Sequence, residues 1–126
     1  MSEEWGLRIL IVDDSPFTRR TIRNIVESNG ISNRIIEAGD GVEAVMKYKE
    51  YKPGLVIMDV LMPRADGIQA LRAIKKIDPD ASVIMMSSIG KSYIVQDAMR
   101  AGAIDFIMKP FDSSHMAVAL SKHTLK

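Results

Sequence analysis

The sequence predicts a single α/β domain in which five parallel strands alternate with five helices. Three observations support this fold class. Five short runs rich in Ile, Leu and Val are separated by longer segments with helical periodicity. The connections are short, so each helix serves as the crossover between two strands. The run at residues 55–58, Leu-Val-Ile-Met, shows no polar alternation, which is typical of a parallel strand buried on both faces.

The first strand and the first helix meet at a polar stretch. Residues 7–12 form the first run rich in Ile, Leu and Val, which stops at Asp-Asp-Ser-Pro, residues 13–16. Proline is favoured in the first turn of a helix, so a helix begins there with Ser15 or Asp14 as its cap. Asn-Gly at residues 29–30 marks its end. We expect its buried side to carry Phe17, Ile22, Ile25 and Val26.

The next two strands flank the second helix. Residues 34–38 form a short strand, and a Gly-Asp-Gly turn follows it. Residues 42–51 have helical periodicity and end at a Lys-Pro-Gly sequence, which breaks the helix. The third strand, 55–58, is followed directly by Asp59. We expect the buried side of the second helix to carry Val42, Val45 and Met46.

The C-terminal half continues the alternation. A helix over residues 68–77 places four residues at spacings of three and four, on one face: Ile68, Leu71, Ile74 and Lys75. The remaining predicted elements are strands at 81–86 and 105–108 and helices at 93–100 and 113–123. Two histidines, His115 and His123, lie on the last helix, and we expect both to face solvent or a partner.

The composition limits the possible classes of function. The chain of 126 residues carries 17 basic and 16 acidic side chains, and this balance argues against nucleic-acid binding. The absence of cysteine excludes disulfides and thiolate metal sites. The polar N-terminus does not resemble a signal peptide, and no apolar run is long enough to span a bilayer. We expect one cytoplasmic domain over residues 1–126, without membrane contact and without an output domain.

Polar residues follow four of the five strands at the point where each strand ends. They are Asp13 and Asp14 after the first strand, Asp59 after the third, Ser87 after the fourth and Lys109 after the fifth. A doubly wound sheet with strand order 2-1-3-4-5 makes the first and third strands neighbours, so the acids meet at the ligand-binding edge. Converging carboxylates need a cation, and hard oxygen ligands favour Mg²⁺. With Lys109 and the Ser87 hydroxyl to bind a phosphate, the site suits phosphoryl transfer onto Asp59.

Three segments carry a resemblance to a known family. They are residues 9–15 (Ile-Leu-Ile-Val-Asp-Asp-Ser), residues 56–63 together with Asp-Gly at 66–67, and residues 108–111 (Met-Lys-Pro-Phe). Together they resemble the receiver domains of two-component response regulators, over essentially the whole chain. The resemblance implies a flavodoxin-like (βα)5 fold. Because we expect no output domain, the chain looks like a stand-alone chemotaxis regulator of this family or a phosphorelay intermediate.

The resemblance implies a phosphoacceptor and a set of metal ligands. Asp59 would accept a phosphoryl group from a sensor histidine kinase. Asp14, Asp59 and the backbone carbonyl of Leu61 would bind Mg²⁺ directly, and Asp13 would bind it through water. The protein would catalyse only its own phosphorylation and dephosphorylation, so it would not be a turnover enzyme.

The resemblance also implies how the phosphoryl group is sensed. Ser87 and Lys109 would bind its oxygens, and the peptide bond between Lys109 and Pro110 would be cis. Phe106 would be the switch aromatic whose rotamer follows Ser87. Leu61 and Ile89 are apolar where this family tunes dephosphorylation, so we expect a long-lived phosphoryl group.

The implied partners are the kinase and a downstream protein that binds the surface of the fourth helix, fifth strand and fifth helix. The chain itself is expected to be a monomer. Two alternatives within the family stay open: a phosphorelay intermediate, and a receiver-shaped interaction module that is never phosphorylated. A small phosphohydrolase is disfavoured because no Asp-x-Asp pair follows the first strand. A flavin or nucleotide binder is disfavoured because no Gly-rich phosphate loop follows it.

Overall fold

The computed structural model describes residues 3–124, in which strands and helices alternate from end to end. The strands are β1 (Ile9–Val12), β2 (Ile35–Ala38), β3 (Leu55–Asp59), β4 (Val83–Ser87) and β5 (Asp105–Met108). The helices are α1 (Pro16–Ser28), α2 (Gly41–Tyr51), α3 (Gly67–Ile77), α4 (Ser92–Arg100) and α5 (Ser113–Thr124). The predicted (βα)5 alternation is confirmed.

The five strands form one parallel sheet in the order β2-β1-β3-β4-β5, as predicted. The register places Val12 of β1 opposite Met58 of β3. Asp13 and Asp59 each follow one member of this pair, so both acids leave the sheet at the same level. This register carries the two acids to one edge.

The core lies in two layers, one on each face of the sheet. One layer packs α2, α3 and α4 against the sheet, and the other packs α1 and α5 against the opposite face. Alternate strand residues serve the two layers: Val56 and Met58 of β3 belong to the first, and Leu55 and Ile57 to the second. Every residue of β3 is buried, which confirms the expectation of a strand covered on both faces.

The buried face of α1 differs from the predicted one at a single position. Ile22, Ile25 and Val26 are buried, but Phe17 is 80% exposed, so its predicted burial is wrong. At 100° per residue, Phe17 lies roughly 130° around the helix from the centre of the buried stripe. Phe17 was predicted to be buried because its side chain is hydrophobic, but its position around the helix places that side chain towards solvent.

The predicted buried face of α2 is also wrong in part. Val42 and Met46 are exposed, and the helix packs inward through Gly41, Ala44 and Tyr48. A side chain on Gly41 would overlap the backbone of Ala65, the residue that approaches it from the loop before α3. The small residues Gly41 and Ala44 therefore allow the helix to approach its neighbours closely, while Val42 and Met46 lie outside.

Two strand boundaries differ from the predicted ones in a way that concerns the site. β3 extends to Asp59 and β4 extends from Val83 to Ser87, so two of the predicted site residues are the last residues of strands. Their backbones are therefore fixed by the sheet ladder. Within residues 3–124, no helix has the length and apolar character needed to cross a bilayer.

Candidate functional site

The turn between β1 and α1 holds Asp13 in a fixed orientation. Its backbone N–H donates to the carbonyl of Ala38 at 3.1 Å, which extends the β1–β2 ladder by one residue. Its Oδ1 accepts from the backbone N–H of Ser15 at 2.9 Å, as a short Asx turn does. Ser15 in turn caps α1 by accepting from the N–H of Thr18 at 3.2 Å. Asp13 is fully buried as a result.

Asp59 is held by the close approach of α3 to the end of β3. The backbone N–H of Gly67, the first residue of α3, donates to the carbonyl of Val60 at 2.8 Å. A side chain at Gly67 would overlap the backbone carbonyl of Asp59 and approach the side chain of Met85. Only glycine permits this contact, so Gly67 belongs to the support of the site. Asp59 itself is 6% exposed.

Lys109 joins the two buried acids. Its Nζ donates to Asp13 Oδ2 at 2.7 Å and to Asp59 Oδ2 at 3.2 Å. Its backbone N–H donates to the carbonyl of Ser87 at 2.9 Å, so the β4–β5 ladder carries Lys109 to the acids. Residues 96 positions apart in the chain thus form a direct ion pair. The predicted convergence of Asp13, Asp59 and Lys109 is what the structure shows.

Burial and the neighbouring charges shift the pKa values of Asp59 and Lys109. Burial, together with the charge of Asp13, raises the pKa of Asp59, although Lys109 and the backbone N–H of Leu61 act in the opposite direction. Burial alone lowers the pKa of Lys109, but its hydrogen bond to Asp13 and the charges of both acids outweigh burial, and the net shift is upward. Lys109 therefore stays charged at neutral pH.

Asp14 completes a group of oxygen ligands. Carboxylate oxygens of Asp13, Asp14 and Asp59 all lie within 4.8 Å of one another, and Asp14 is the exposed member. Hard carboxylate oxygens at this separation fit Mg²⁺, which accepts oxygen ligands and keeps some of its water. The one exposed carboxylate leaves the cluster open to solvent, so an ion has a route of entry.

Ser87 lies at the adjacent strand end, but its hydroxyl is engaged elsewhere. The residue is fully buried, and its Oγ accepts from the backbone N–H of Ile89 at 3.0 Å. Leu61 is 46% exposed, and its backbone N–H acts on the carboxylate of Asp59. The roles expected for the Ser87 hydroxyl and the Leu61 carbonyl stay predictions.

The fifth strand carries the other predicted features. The peptide bond between Lys109 and Pro110 is cis, as predicted. Phe106 is half-buried and packs against the core layer of α2, α3 and α4. His123 was expected to face solvent or a partner, and this expectation is wrong. Its Nε2 lies 2.9 Å from Asp105 Oδ2, and the residue is half-buried. Asp105 begins β5, so the end of α5 is tied to that strand.

The sequence analysis did not predict one contact at the site, which Arg19 makes with Asp13. Arg19, in the first turns of α1, donates through Nη1 to the backbone carbonyl of Asp13 at 2.6 Å. The only sequence signal is its position, because side chains on a helix lean towards its N-terminus and here the N-terminus lies beside the acids. Nothing in the spacing distinguishes Arg19 from Arg20, which is exposed.

Comparison with known proteins places this geometry in a family. The family model described as "Response regulator receiver domain" matches residues 9–121. The chain is 50% identical to the chemotaxis protein CheY of Bacillus subtilis over 115 residues, which cover 91% of this chain and 95% of that protein. It is 47% identical to CheY of Thermotoga maritima over 117 residues, covering 93% and 97%.

A solved structure is similar over nearly the same length. The crystal structure of the CheX-CheY-BeF3-Mg²⁺ complex from Borrelia burgdorferi contains a chain that is 39% identical, with a TM-score of 0.88. The match covers 94% of this chain and 90% of that chain. The fold and the close relation to CheY proteins are thus supported both by sequence and by structure.

Proposed function

The chain belongs to the response regulator receiver domain family, and from that premise we propose that it is a phosphorylated switch of chemotaxis type with Asp59 as its phosphoacceptor. The proposal includes Mg²⁺ at the acid cluster and a histidine kinase as the phosphoryl donor. Several relatives that match over nearly their whole length are chemotaxis proteins, which favours this pathway over a phosphorelay.

One observation carries the proposal. The Nζ of Lys109 lies between the buried carboxylates of Asp13 and Asp59, at 2.7 and 3.2 Å, at the carboxyl edge of the sheet. Two buried carboxylates and a lysine at a ligand-binding edge form a site that attracts a cation and a phosphate together. A purely structural ion pair would not require a third, exposed carboxylate beside it, such as Asp14.

The transfer is a displacement at phosphorus. A carboxylate oxygen of Asp59 attacks the phosphorus of a phosphohistidine; the new O–P bond forms as the P–N bond breaks, and the imidazole leaves with the electron pair. Lys109 moves its hydrogen bond from Asp59 to a phosphoryl oxygen and so compensates the developing charge. The acyl phosphate is later hydrolysed when water attacks phosphorus, which releases inorganic phosphate and restores the Asp59 carboxylate.

The three acids would contact Mg²⁺ in different ways, either directly or through water. When bound, Mg²⁺ screens the negative charge of the incoming phosphoryl group. Both side-chain oxygens of Asp13 already accept from protein donors, Ser15 and Lys109, which supports a contact through water. Asp14 is exposed, which supports direct ligation by Asp14 and Asp59. The backbone carbonyl of Leu61 is the remaining protein ligand in this proposal.

The switch connects the site to a binding face. The phosphoryl group draws in the Ser87 hydroxyl, and this movement requires Ser87 Oγ to release the N–H of Ile89, so the loop before α4 moves with it. Phe106 then changes its packing, and the population of the active state rises. The face formed by α4, β5 and α5 exposes apolar side chains suited to a protein partner: Tyr93, Met99 and Met108.

The decisive experiment is incubation with Mg²⁺ and acetyl phosphate, followed by intact mass spectrometry. The wild-type protein should gain one phosphoryl group, and Asp59→Asn should gain none. Asp112→Asn is the matched control, because Asp112 is an exposed carboxylate at the start of α5. Phosphorylation of Asp59→Asn to the same extent as the control, or no reaction of the wild type, would exclude Asp59 as the acceptor.

A second experiment tests the switch. The wild-type protein should capture its downstream partner more strongly with Mg²⁺ and acetyl phosphate than without them. Tyr93→Ala, which removes an aromatic side chain that is 57% exposed on α4, should reduce capture without changing the phosphoryl gain. Equal capture by both proteins in both conditions would favour the alternative of a module that does not respond to phosphorylation.

A further inference from the structure

Arg19 links the acid cluster to the neighbouring strand. It is the fourth residue of α1, and its side chain turns back towards the start of the helix. Nη1 donates to the backbone carbonyl of Asp13 at 2.6 Å, and Nε donates to Glu37 Oε1 on β2 at 2.8 Å. The side chain is 18% exposed. The planar guanidinium thus spans from the end of β1 to β2.

Glu37 keeps this guanidinium in place. Its other carboxylate oxygen accepts from Arg23, one turn further along α1, at 2.7 Å. Burial alone raises the pKa of Glu37, but the bonds from Arg23 and Arg19 outweigh burial, and its pKa lies below the usual value. Glu37 is therefore ionised at neutral pH, and the two arginines share it. Only Arg19 continues to the acid cluster.

The contact controls a peptide plane. The carbonyl of Asp13 and the backbone N–H of Asp14 belong to one planar peptide group, so holding the oxygen also fixes the start of Asp14. Asp14 is exposed, and its direction depends on the backbone that carries it. We propose that Arg19 is a positioning residue, held by Glu37, which orients the Asp13–Asp14 peptide and thereby aims the Asp14 carboxylate at the metal. This inference rests on the proposed Mg²⁺ site.

The direction in which Mg²⁺ affinity changes when Arg19 is removed distinguishes a positioning role from a purely electrostatic one. Arg19 is a cation near three carboxylates, so its electrostatic influence opposes Mg²⁺ binding. Its loss would strengthen Mg²⁺ binding if charge were its whole contribution. Positioning predicts the opposite result, because a partner that orients a metal ligand typically contributes tenfold or more to affinity. The direction of change in Kd therefore discriminates between the two roles.

The test compares Arg19→Gln with Arg23→Gln. Both variants remove one ion pair with Glu37, but only the first removes a contact with Asp13. Two quantities are measured: the Kd for Mg²⁺ by calorimetry, and amide hydrogen exchange in metal-free protein at Ser15, whose N–H donates to Asp13 Oδ1. Arg19→Gln should weaken Mg²⁺ binding about tenfold and speed exchange at this amide. Arg23→Gln should leave both close to wild type.

Arg19→Lys and Arg23→Lys form a second pair. Lysine keeps the charge but lacks the fork that bonds two acceptors at once. Arg19→Lys should weaken Mg²⁺ binding more than Arg23→Lys does, and this pair decides the matter if Arg19→Gln does not fold. Tighter binding in Arg19→Gln, or equal effects at the two positions, would overturn the assignment. The metal-free exchange data and wild-type Mg²⁺ binding separate this outcome from a failure of the proposed function.

Discussion

Replacement of Lys109 by Met tests whether one ammonium group holds the acid cluster together. Nζ lies 2.7 Å from Asp13 Oδ2 and 3.2 Å from Asp59 Oδ2, and both carboxylates are buried. Methionine keeps most of the apolar stem and removes the charge. The variant therefore leaves two buried carboxylates close together without a cation between them.

The magnitude follows from these distances. At an effective dielectric constant of about 20, each ion pair is worth roughly 5–6 kcal/mol before desolvation is subtracted. Loss of one partner from a buried pair typically costs about 3–5 kcal/mol. The Lys109 side chain is 21% exposed, and Asp59, whose pKa is already raised, takes up a proton more readily than an ordinary carboxyl. We therefore expect the free energy of unfolding to fall by about 2–3 kcal/mol in metal-free buffer.

Urea unfolding followed by circular dichroism, with and without Mg²⁺, is the assay. Saturating Mg²⁺ should reduce the deficit, because a bound cation stabilises the native state by about 2.7 kcal/mol at one hundred times its Kd and no ammonium competes with it in the variant. Lys76→Met on the exposed side of α3 is the control and should stay within about 0.5 kcal/mol of wild type. Equal stability of the two variants without metal, or a deficit that Mg²⁺ does not reduce, would refute the reasoning.

Three further perturbations test other parts of the site. Leu61→Asn should shorten the lifetime of the phosphoryl group, because a polar side chain there can orient water; loss of phosphate from purified protein measures it, and an unchanged rate would contradict the expectation. Gly67→Ala should cost about 1–3 kcal/mol in a thermal unfolding experiment, because the added carbon overlaps the Asp59 carbonyl; wild-type stability would refute this. Glu37 has a lowered pKa in the folded state, so its contribution is present above its unfolded pKa and is lost as pH falls through the folded value. Glu37→Gln should therefore be less stable than wild type in urea at neutral pH but not in acid, and a gap that does not depend on pH would count against the pairing.

The fold could be predicted because its signals are local and redundant. Each strand is a short apolar run closed by turn residues, and Ser15, one of the two residues predicted to cap the first helix, is its N-cap in the structure. The site could be predicted because topology converts sequence position into spatial position. In a parallel sheet all strands end at one edge, so Asp13, Asp59 and Lys109 had to meet once the strand order was fixed.

Helix faces could not be predicted with the same accuracy. On α2 the apolar spacing of Val42 and Met46 suggests a buried stripe, yet Ala44 and Tyr48 face the core. The Tyr48 hydroxyl donates to Asp78 at the end of α3, a partner 30 residues away that satisfies its polar end. Which residues of α2 are buried depends on how closely α2 approaches α3, and that distance cannot be derived from a single sequence. Arg19 and His123 were missed for the same reason: their partners, Asp13 and Asp105, are set by tertiary packing.

The acid cluster is unfavourable for stability, and the rest of the fold explains how it persists. Asp13 and Asp59 are buried like charges, and the raised pKa of Asp59 shows that the folded state resists its ionisation. The ends of β1 and β3 cannot move apart to relieve this repulsion, because both strands are fully buried at the centre of the sheet. Lys109 relieves this repulsion through its contacts with both acids. In the proposed function, a phosphoryl group on Asp59 would offer Lys109 a new partner, so the repulsion that weakens the resting state would favour the switch.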